Sequence, residues 1–288
     1  MHSSDPSRLE SMYNNRTRVP GFASSFERWV ADSRSARAAL PCHLDQTYGE
    51  GPDETLDIFP SEQANVPVLV FIHGGYWRAT DKSDHSFLAP SFVRHGICVV
   101  VLNYALCPGT PEAPVSVLFI MSQMVRALTW TSKNIAQYGG DPARITVAGH
   151  SAGGHLAATL LANDRQAMGS DLPHPVLRSA LSISGLYDLR DLRHAPFLQG
   201  ELGLDDDGAR RASPALWPAP RQGVLYAGAG ADESEAFAAQ NALIRTAWGK
   251  SVVPVCELLP GLNHFSVLDA LADPAHALHG RALELLLA

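Results

Sequence analysis

The chain has 288 residues, 46% hydrophobic and 18% charged, enough for one large α/β domain or two small ones around a well-buried core. A formal net charge of −7 without any basic run argues against a nucleic-acid binder or a protein held on anionic lipid. No apolar stretch approaches the ~18 residues that span a bilayer, and the opening MHSSDPSRLE has no apolar core of a secretory signal, so the expected location is cytoplasmic with no membrane partner.

Residues 1–55 are polar and mixed and are expected to form an N-terminal extension packed on a domain covering 56–288. Within the extension, SSFERWVADSRSARAAL (24–40) has helical spacing, with Phe26, Trp29 and Val30 on one side. ETLDIFP (54–60) alternates like an edge strand. Continuous apolar runs then follow at 66–73, 96–104, 144–150, 177–185, 223–230 and 252–260, each too short for a helix and several rich in branched residues. Between them lie helical segments at about 83–94, 115–138, 152–164 and 234–248, with another from about 274. Apolar strands alternating with helices predict an α/β fold with a mostly parallel central sheet and helices on both faces. The stretch 186–220 breaks this rhythm and reads as a small, partly helical insertion over the sheet edge. Cys42, Cys98, Cys107 and Cys256 are scattered, with neither zinc spacing nor a disulfide framework, and Cys98 and Cys256 lie inside apolar runs as small core residues.

The sequence TVAGHSAGGHLAA (146–158) poses the chemical question. Gly149-His150-Ser151-Ala152-Gly153 has the form G-x-S-x-G where a strand hands over to a helix. Such a corner forces its serine into a strained conformation and leaves no room for side chains at the flanking positions. It lifts Ser151 Oγ above the carboxyl edge of the sheet and points a helix N-terminus at the same place. A serine hydroxyl needs a general base, and the base needs an orienting acid, in the chain order serine, acid, histidine. The strand at 223–230 runs into ADES and sets Asp232 just past its end. The strand at 252–260 runs into GLNHF and sets His264 on the same edge. Asp188, after an earlier strand, is the alternative acid. Glu233 is expected to point elsewhere, and His276 and His279 are expected on the surface of a C-terminal helix.

In VFIHGGYW (70–77), a strand ends at His73 and two glycines follow. A tetrahedral intermediate requires N–H donors around its oxygen. Ala152 supplies one, and Gly74 and Gly75 are the natural others, with His73 holding the loop. Tyr76 and Trp77 either wall a substrate pocket or pack the loop onto the core; Tyr187 and part of the 186–220 insertion complete the expected pocket.

Taken together, HGGYW, GGDPARITVAGHSAGGHLAA, SGLYDL, ADES and NHF resemble the kynurenine formamidase (arylformamidase) branch of the α/β-hydrolase fold, close to the hormone-sensitive-lipase esterases, over about residues 45–270. The stretch NYALCPGTPEAP (103–114) stands where the lipase-type esterases commonly show YRLAPE, which favours the formamidase-like side. The resemblance implies a triad on Ser151, Asp232 and His264, oxyanion donors on Gly74, Gly75 and Ala152, and cleavage of a small carboxylic ester or formamide with neither metal nor organic cofactor. The competing reading is a catalytically silent hydrolase-fold protein that binds a ligand or partner.

Overall fold

The computed structural model describes residues 5–163 and 177–288. The first four residues of the N-terminal opening and the end of the helical segment expected at 152–164 lie outside the described residues. Eight strands build one sheet: β1 (His43–Thr47), β2 (Thr55–Phe59), β3 (Val66–Ile72), β4 (Cys98–Leu102), β5 (Gly140–His150), β6 (Ser179–Ile183), β7 (Val224–Gly230) and β8 (Val255–Leu259). Their order is β1-β2-β4-β3-β5-β6-β7-β8. The pairs β1/β2 and β2/β4 are antiparallel; every pairing from β4 to β8 is parallel.

The central strands are buried along their whole length, which is why VPVLVFI and CVVVL read as unbroken apolar runs. Alternate residues serve opposite faces. Val68, Val70, Ile72, Val100 and Leu102 join one core, and Leu69, Phe71, Val99 and Val101 join the other.

The helices are α1 (Pro6–Tyr13), α2 (Asn15–Arg18), α3 (Phe22–Ala39), α4 (Ala89–Val93), α5 (Val117–Asn134), α6 (Ala152–Ala162), α7 (Asp206–Arg211), α8 (Glu235–Val252), α9 (Ser266–Ala272) and α10 (Ala277–Leu287). Helix α5 starts where the Ser116 hydroxyl accepts the Phe119 N–H at 3.2 Å. It turns Ile120, Met124, Ala127 and Leu128 inward at helical spacing. With α6 and α8 it covers the first core; α3, α4, α9 and α10 cover the second through Trp29, Phe92, Leu268 and Leu285. Among the described residues no helix is long and apolar enough to cross a membrane.

The segment before residue 55 contributes to the sheet as well as packing on it, since β1 pairs with β2. Its α3 is locked against α9 by the Trp29 indole, which donates to Asp269 Oδ1 at 2.8 Å. Residues 186–220 contain short 3-10 turns and α7 and no strand; Leu192 and Leu198 bury in the first core. The N-terminal helices and this segment thus bracket the carboxyl ends of the parallel strands, where ligands bind in sheets of this kind.

Candidate active site

β5 ends at His150 and α6 begins at Ala152, leaving Ser151 alone on the corner with φ 57° and ψ −117°. A non-glycine residue persists there only when its surroundings over-determine it. The Ser151 N–H donates to Ile183 O at 2.8 Å, and its C=O accepts the His155 N–H at 3.1 Å. A Cβ on Gly149 would strike the Gly153 carbonyl, and one on Gly153 would strike the carbonyl of Ile72. The two glycines let β3, β5 and α6 close on one point.

His264 sits between β8 and α9, 4% exposed. Its Nδ1 lies 2.6 Å from Glu233 Oε2. Its carbonyl faces His150 Nε2 at 2.8 Å; a carbonyl only accepts, so His150 carries its proton on Nε2. The rings of His150 and Phe237 each stand 4.6 Å from the His264 ring and fix its orientation. Burial, reinforced by His264 alongside, holds His150 well below the ordinary histidine pKa, so it is a neutral spacer.

The acid beside His264 is therefore Glu233, which corrects the assignment to Asp232. The Glu233 N–H returns to Gly230 O at 3.2 Å, closing a turn with Ala231 and Asp232 on its outer corner, both exposed. The chain comes back over the end of β7 one residue later than the sequence suggests. The Glu233 side chain has no exposed surface. Its Oε1 accepts the Gly230 N–H at 2.7 Å and the Ser184 hydroxyl at 2.5 Å, leaving Oε2 for the imidazole. Asp188, the alternative acid, is engaged by Arg190, with Nη2 2.6 Å from Oδ2. His279 is fully buried rather than on the surface, bonded through Nδ1 to the Leu271 carbonyl at 2.8 Å. His276 accepts the Leu278 N–H at the start of α10.

On the other side of Ser151, Gly75, Tyr76 and Trp77 take consecutive left-handed conformations, with φ 95°, 52° and 57°. A Cβ at Gly75 would collide with the Ala79 carbonyl. The Tyr104 hydroxyl lies 2.9 Å from His73 O and 3.1 Å from Gly74 O, able to donate to either, and holds this turn. His73 Nε2 donates to Asn103 Oδ1 at 3.1 Å. Burial, with His85 next to it, brings His73 down to about 4, so it stays a neutral brace. Among the described residues no protein acceptor takes the N–H of Gly74, Gly75 or Ala152.

Ser151, His264, Gly74 and Gly75 open onto one cavity of about 370 Å³. Its aromatic wall comes from Phe22, Phe26, Trp29, Tyr76, Phe197 and Phe265. Trp77 does not line it; the indole is fully buried and meets His155 edge-on at 5.1 Å. Tyr187 does not line it either, being fully buried with its hydroxyl donating to Ser182 Oγ at 2.7 Å. Half of the aromatic wall is supplied by α3.

Residues 50–185 match the carboxylesterase family. Kynurenine formamidase of Danio rerio is 30% identical over 203 residues, which span 69% of this chain and 62% of that protein. The enzyme of the same name from Salmo salar is 27% identical over 83% of this chain and 80% of its own. A crystal structure from Silicibacter sp. TM1040, assigned on a provisional basis as a thioesterase, superimposes with a TM-score of 0.82 at 32% identity, covering 97% of this chain and 99% of that one. The chain belongs to the α/β-hydrolase superfamily. It is a hydrolase of the carboxylesterase and kynurenine formamidase-like branch. The α/β-hydrolase residues that sequence reasoning missed are Glu233, Ser184 and His150 around the imidazole, and the contribution of α2 and α3 to the cavity. For α3 a signal existed: Phe22, Phe26 and Trp29 recur at helical spacing and all three line the site.

Proposed function

We propose that the chain cleaves small aryl formamides or short-acyl carboxylic esters through an acyl-enzyme, with Ser151 as nucleophile, His264 as general base and Glu233 as the orienting acid. The observation that carries this reading is the 2.6 Å bond between His264 Nδ1 and Glu233 Oε2 behind a histidine that shares a cavity wall with an elbow serine. The carboxylate keeps the proton on Nδ1, so Nε2 is left as the acceptor for the serine proton. Ser151 attacks the substrate carbonyl as His264 takes that proton. The developing oxyanion is stabilised by the N–H groups of Gly74, Gly75 and Ala152. His264 then protonates the departing amine or alcohol, and water releases the acyl group with His264 again as base.

The cavity supports an aromatic substrate of modest size. Its volume of about 370 Å³ sits at the small end of ligand sites, and aromatic faces stack favourably on an aryl leaving group. The relatives named kynurenine formamidase and the carboxylesterase match support formamide and ester as the two candidate bonds.

The test is a comparison of kcat/KM for N-formylkynurenine and for p-nitrophenyl acetate, butyrate and octanoate, beside fluorophosphonate labelling. Turnover of at least the formamide or the short esters is expected, with labelling lost in Ser151→Ala. An unlabelled, inactive wild-type protein would instead support a silent binding role.

A further inference from the structure

The proposed oxyanion donors come from two separate elements. The Ala152 N–H belongs to the first turn of α6, and those of Gly74 and Gly75 belong to the loop after β3. An oxyanion is stabilised only where donors from both stand at hydrogen-bond distance from one oxygen, so the spacing of loop and helix has to be held. The loop does not hold itself. The Arg78 N–H closes a turn onto Gly75 O at 3.1 Å, with Tyr76 and Trp77 at its central positions in left-handed conformations, φ 52° and 57°. Bulky residues are costly there and persist only when their surroundings fix them. The Tyr76 phenol is fixed by donating to the Tyr13 carbonyl.

Trp77 is fixed by α6. Its indole is fully buried and meets the His155 ring with centroids 5.1 Å apart at 89°. His155 lies one turn beyond the nucleophile, and its N–H donates to Ser151 O at 3.1 Å. Its Nε2 faces the Ala212 carbonyl at 2.7 Å; a carbonyl only accepts, so Nε2 carries the ring proton and Nδ1 presents a lone pair. Burial brings this ring down to about 4, so it stays neutral. His155 Nδ1 and Trp77 Nε1 are both buried, and among the described residues neither has a hydrogen-bond partner. A donor without an acceptor and an acceptor without a donor thus sit in neighbouring rings, one on each half of the oxyanion hole. Buried polar atoms are seldom left unpaired, and each of these is what the other lacks.

We propose that Trp77 and His155 are a positioning pair: as the loop settles on the oxyanion, Trp77 Nε1–H donates to His155 Nδ1 and locks the Gly74 and Gly75 N–H groups in place relative to that of Ala152. The proposal rests on the reading of Ser151 as nucleophile with these three donors around its oxyanion. Neither ring lines the cavity, so the pair acts on the transition state through the loop and not on substrate binding.

Two substitutions at position 155 separate this role from a merely structural one. Asparagine can put an oxygen where Nδ1 stands and has nothing to reach Ala212; glutamine can put a donor where Nε2 stands and leaves the indole without an acceptor. His155→Asn is expected to keep kcat for p-nitrophenyl acetate within about threefold of wild type, and His155→Gln to lower it about 30-fold, part of the cost of losing an oxyanion donor outright. Trp77→Phe, which keeps an aromatic ring and deletes the N–H, should fall with His155→Gln. KM should hold in all three, the mark of an interaction made only in the transition state. Affinity for phenylboronic acid, whose boronate oxygen takes the oxyanion position, should weaken in parallel with kcat. In wild-type protein isotope-labelled at its tryptophans, one indole N–H resonance should move downfield when phenylboronic acid binds, and that resonance should be missing from Trp77→Phe. Higher kcat in His155→Gln than in His155→Asn would leave His155 only as an anchor for Ala212 and would overturn the proposal. So would a wild-type spectrum in which no indole N–H moves on binding the boronate. Fluorophosphonate labelling of the wild-type protein reports on the hydrolase reading by itself, so a failure there is distinguishable from a failure of the pair.

Discussion

Replacing Glu233 by glutamine isolates the role of the acid without removing its volume. The wild-type carboxylate has two oxygens with different duties. Oε1 is claimed by the Gly230 N–H and the Ser184 hydroxyl, and Oε2 by His264 Nδ1. A glutamine has one oxygen. The Gly230 N–H can only donate, so that oxygen must stay at the Oε1 position, and the NH₂ group is forced to face His264. An NH₂ donates to Nδ1 and drives the ring proton onto Nε2, the atom proposed to accept the proton of Ser151. The geometry is preserved and the tautomer is wrong, a situation that costs about 10⁴ in kcat in serine proteases, or about 5 kcal/mol of transition-state stabilisation. Asp232→Asn alters an exposed side chain on the outer corner of the turn and is expected to stay within about twofold of wild type. The assay is kcat/KM for p-nitrophenyl acetate in wild type and the two variants, with circular dichroism to confirm folding. A greater loss in Asp232→Asn than in Glu233→Gln would refute the reasoning and return the acid to position 232.

His264→Ala removes the proposed base and is expected to lower kcat by at least about 10⁴ with the fold retained; near-wild-type turnover would mean that another group takes the serine proton. Gly75→Ala forces a Cβ toward the Ala79 carbonyl at φ 95° and should shift the oxyanion loop, with kcat/KM falling about 100-fold; an unchanged value in steady-state assays would take Gly75 out of the oxyanion hole. Lys82→Met leaves Asp57, 1% exposed, without the ammonium now 2.8 Å away and is expected to cost about 3 kcal/mol; urea denaturation showing a loss below about 1 kcal/mol would indicate that water or a rearranged side chain replaces the lysine. His73, His85 and His155 are each brought down to about 4, chiefly by burial, from the ordinary 6.5. Between those values the unfolded chain binds more protons than the folded one. Stability is therefore complete above pH 6.5 and falls as the pH drops toward 4, by up to about 1.4 kcal/mol per pH unit for each ring; urea midpoints that stay flat through this window would show that the rings are not held neutral.

The sheet was largely legible because parallel strands covered on both faces leave no polar alternation to confuse with anything else. β1 was not legible: HLDQT is polar and mostly exposed at the sheet edge, and only its pairing with β2 identifies it. Helix α9 follows His264 so closely that its seven residues blend into the loop in the sequence. Ser151 and His264 could be placed from the elbow glycines and from strand order, which depend on local sterics and topology. The acid could not, since Asp232 and Glu233 are adjacent carboxylates separated only by how the turn from Gly230 closes. The cavity wall was the least visible part. Asn15, Phe22 and Trp29 join Ser151 in lining one cavity, a long-range consequence of anchors such as Trp29 to Asp269, 240 positions apart.

The most direct measurement of the central claim is a pre-steady-state burst with p-nitrophenyl acetate, followed by mass mapping of the trapped acyl group. The account predicts one acetyl per chain on Ser151, absent in Ser151→Ala and formed orders of magnitude more slowly in Glu233→Gln. An acetyl group found on a different residue, or a burst of wild-type rate in either variant, would contradict it.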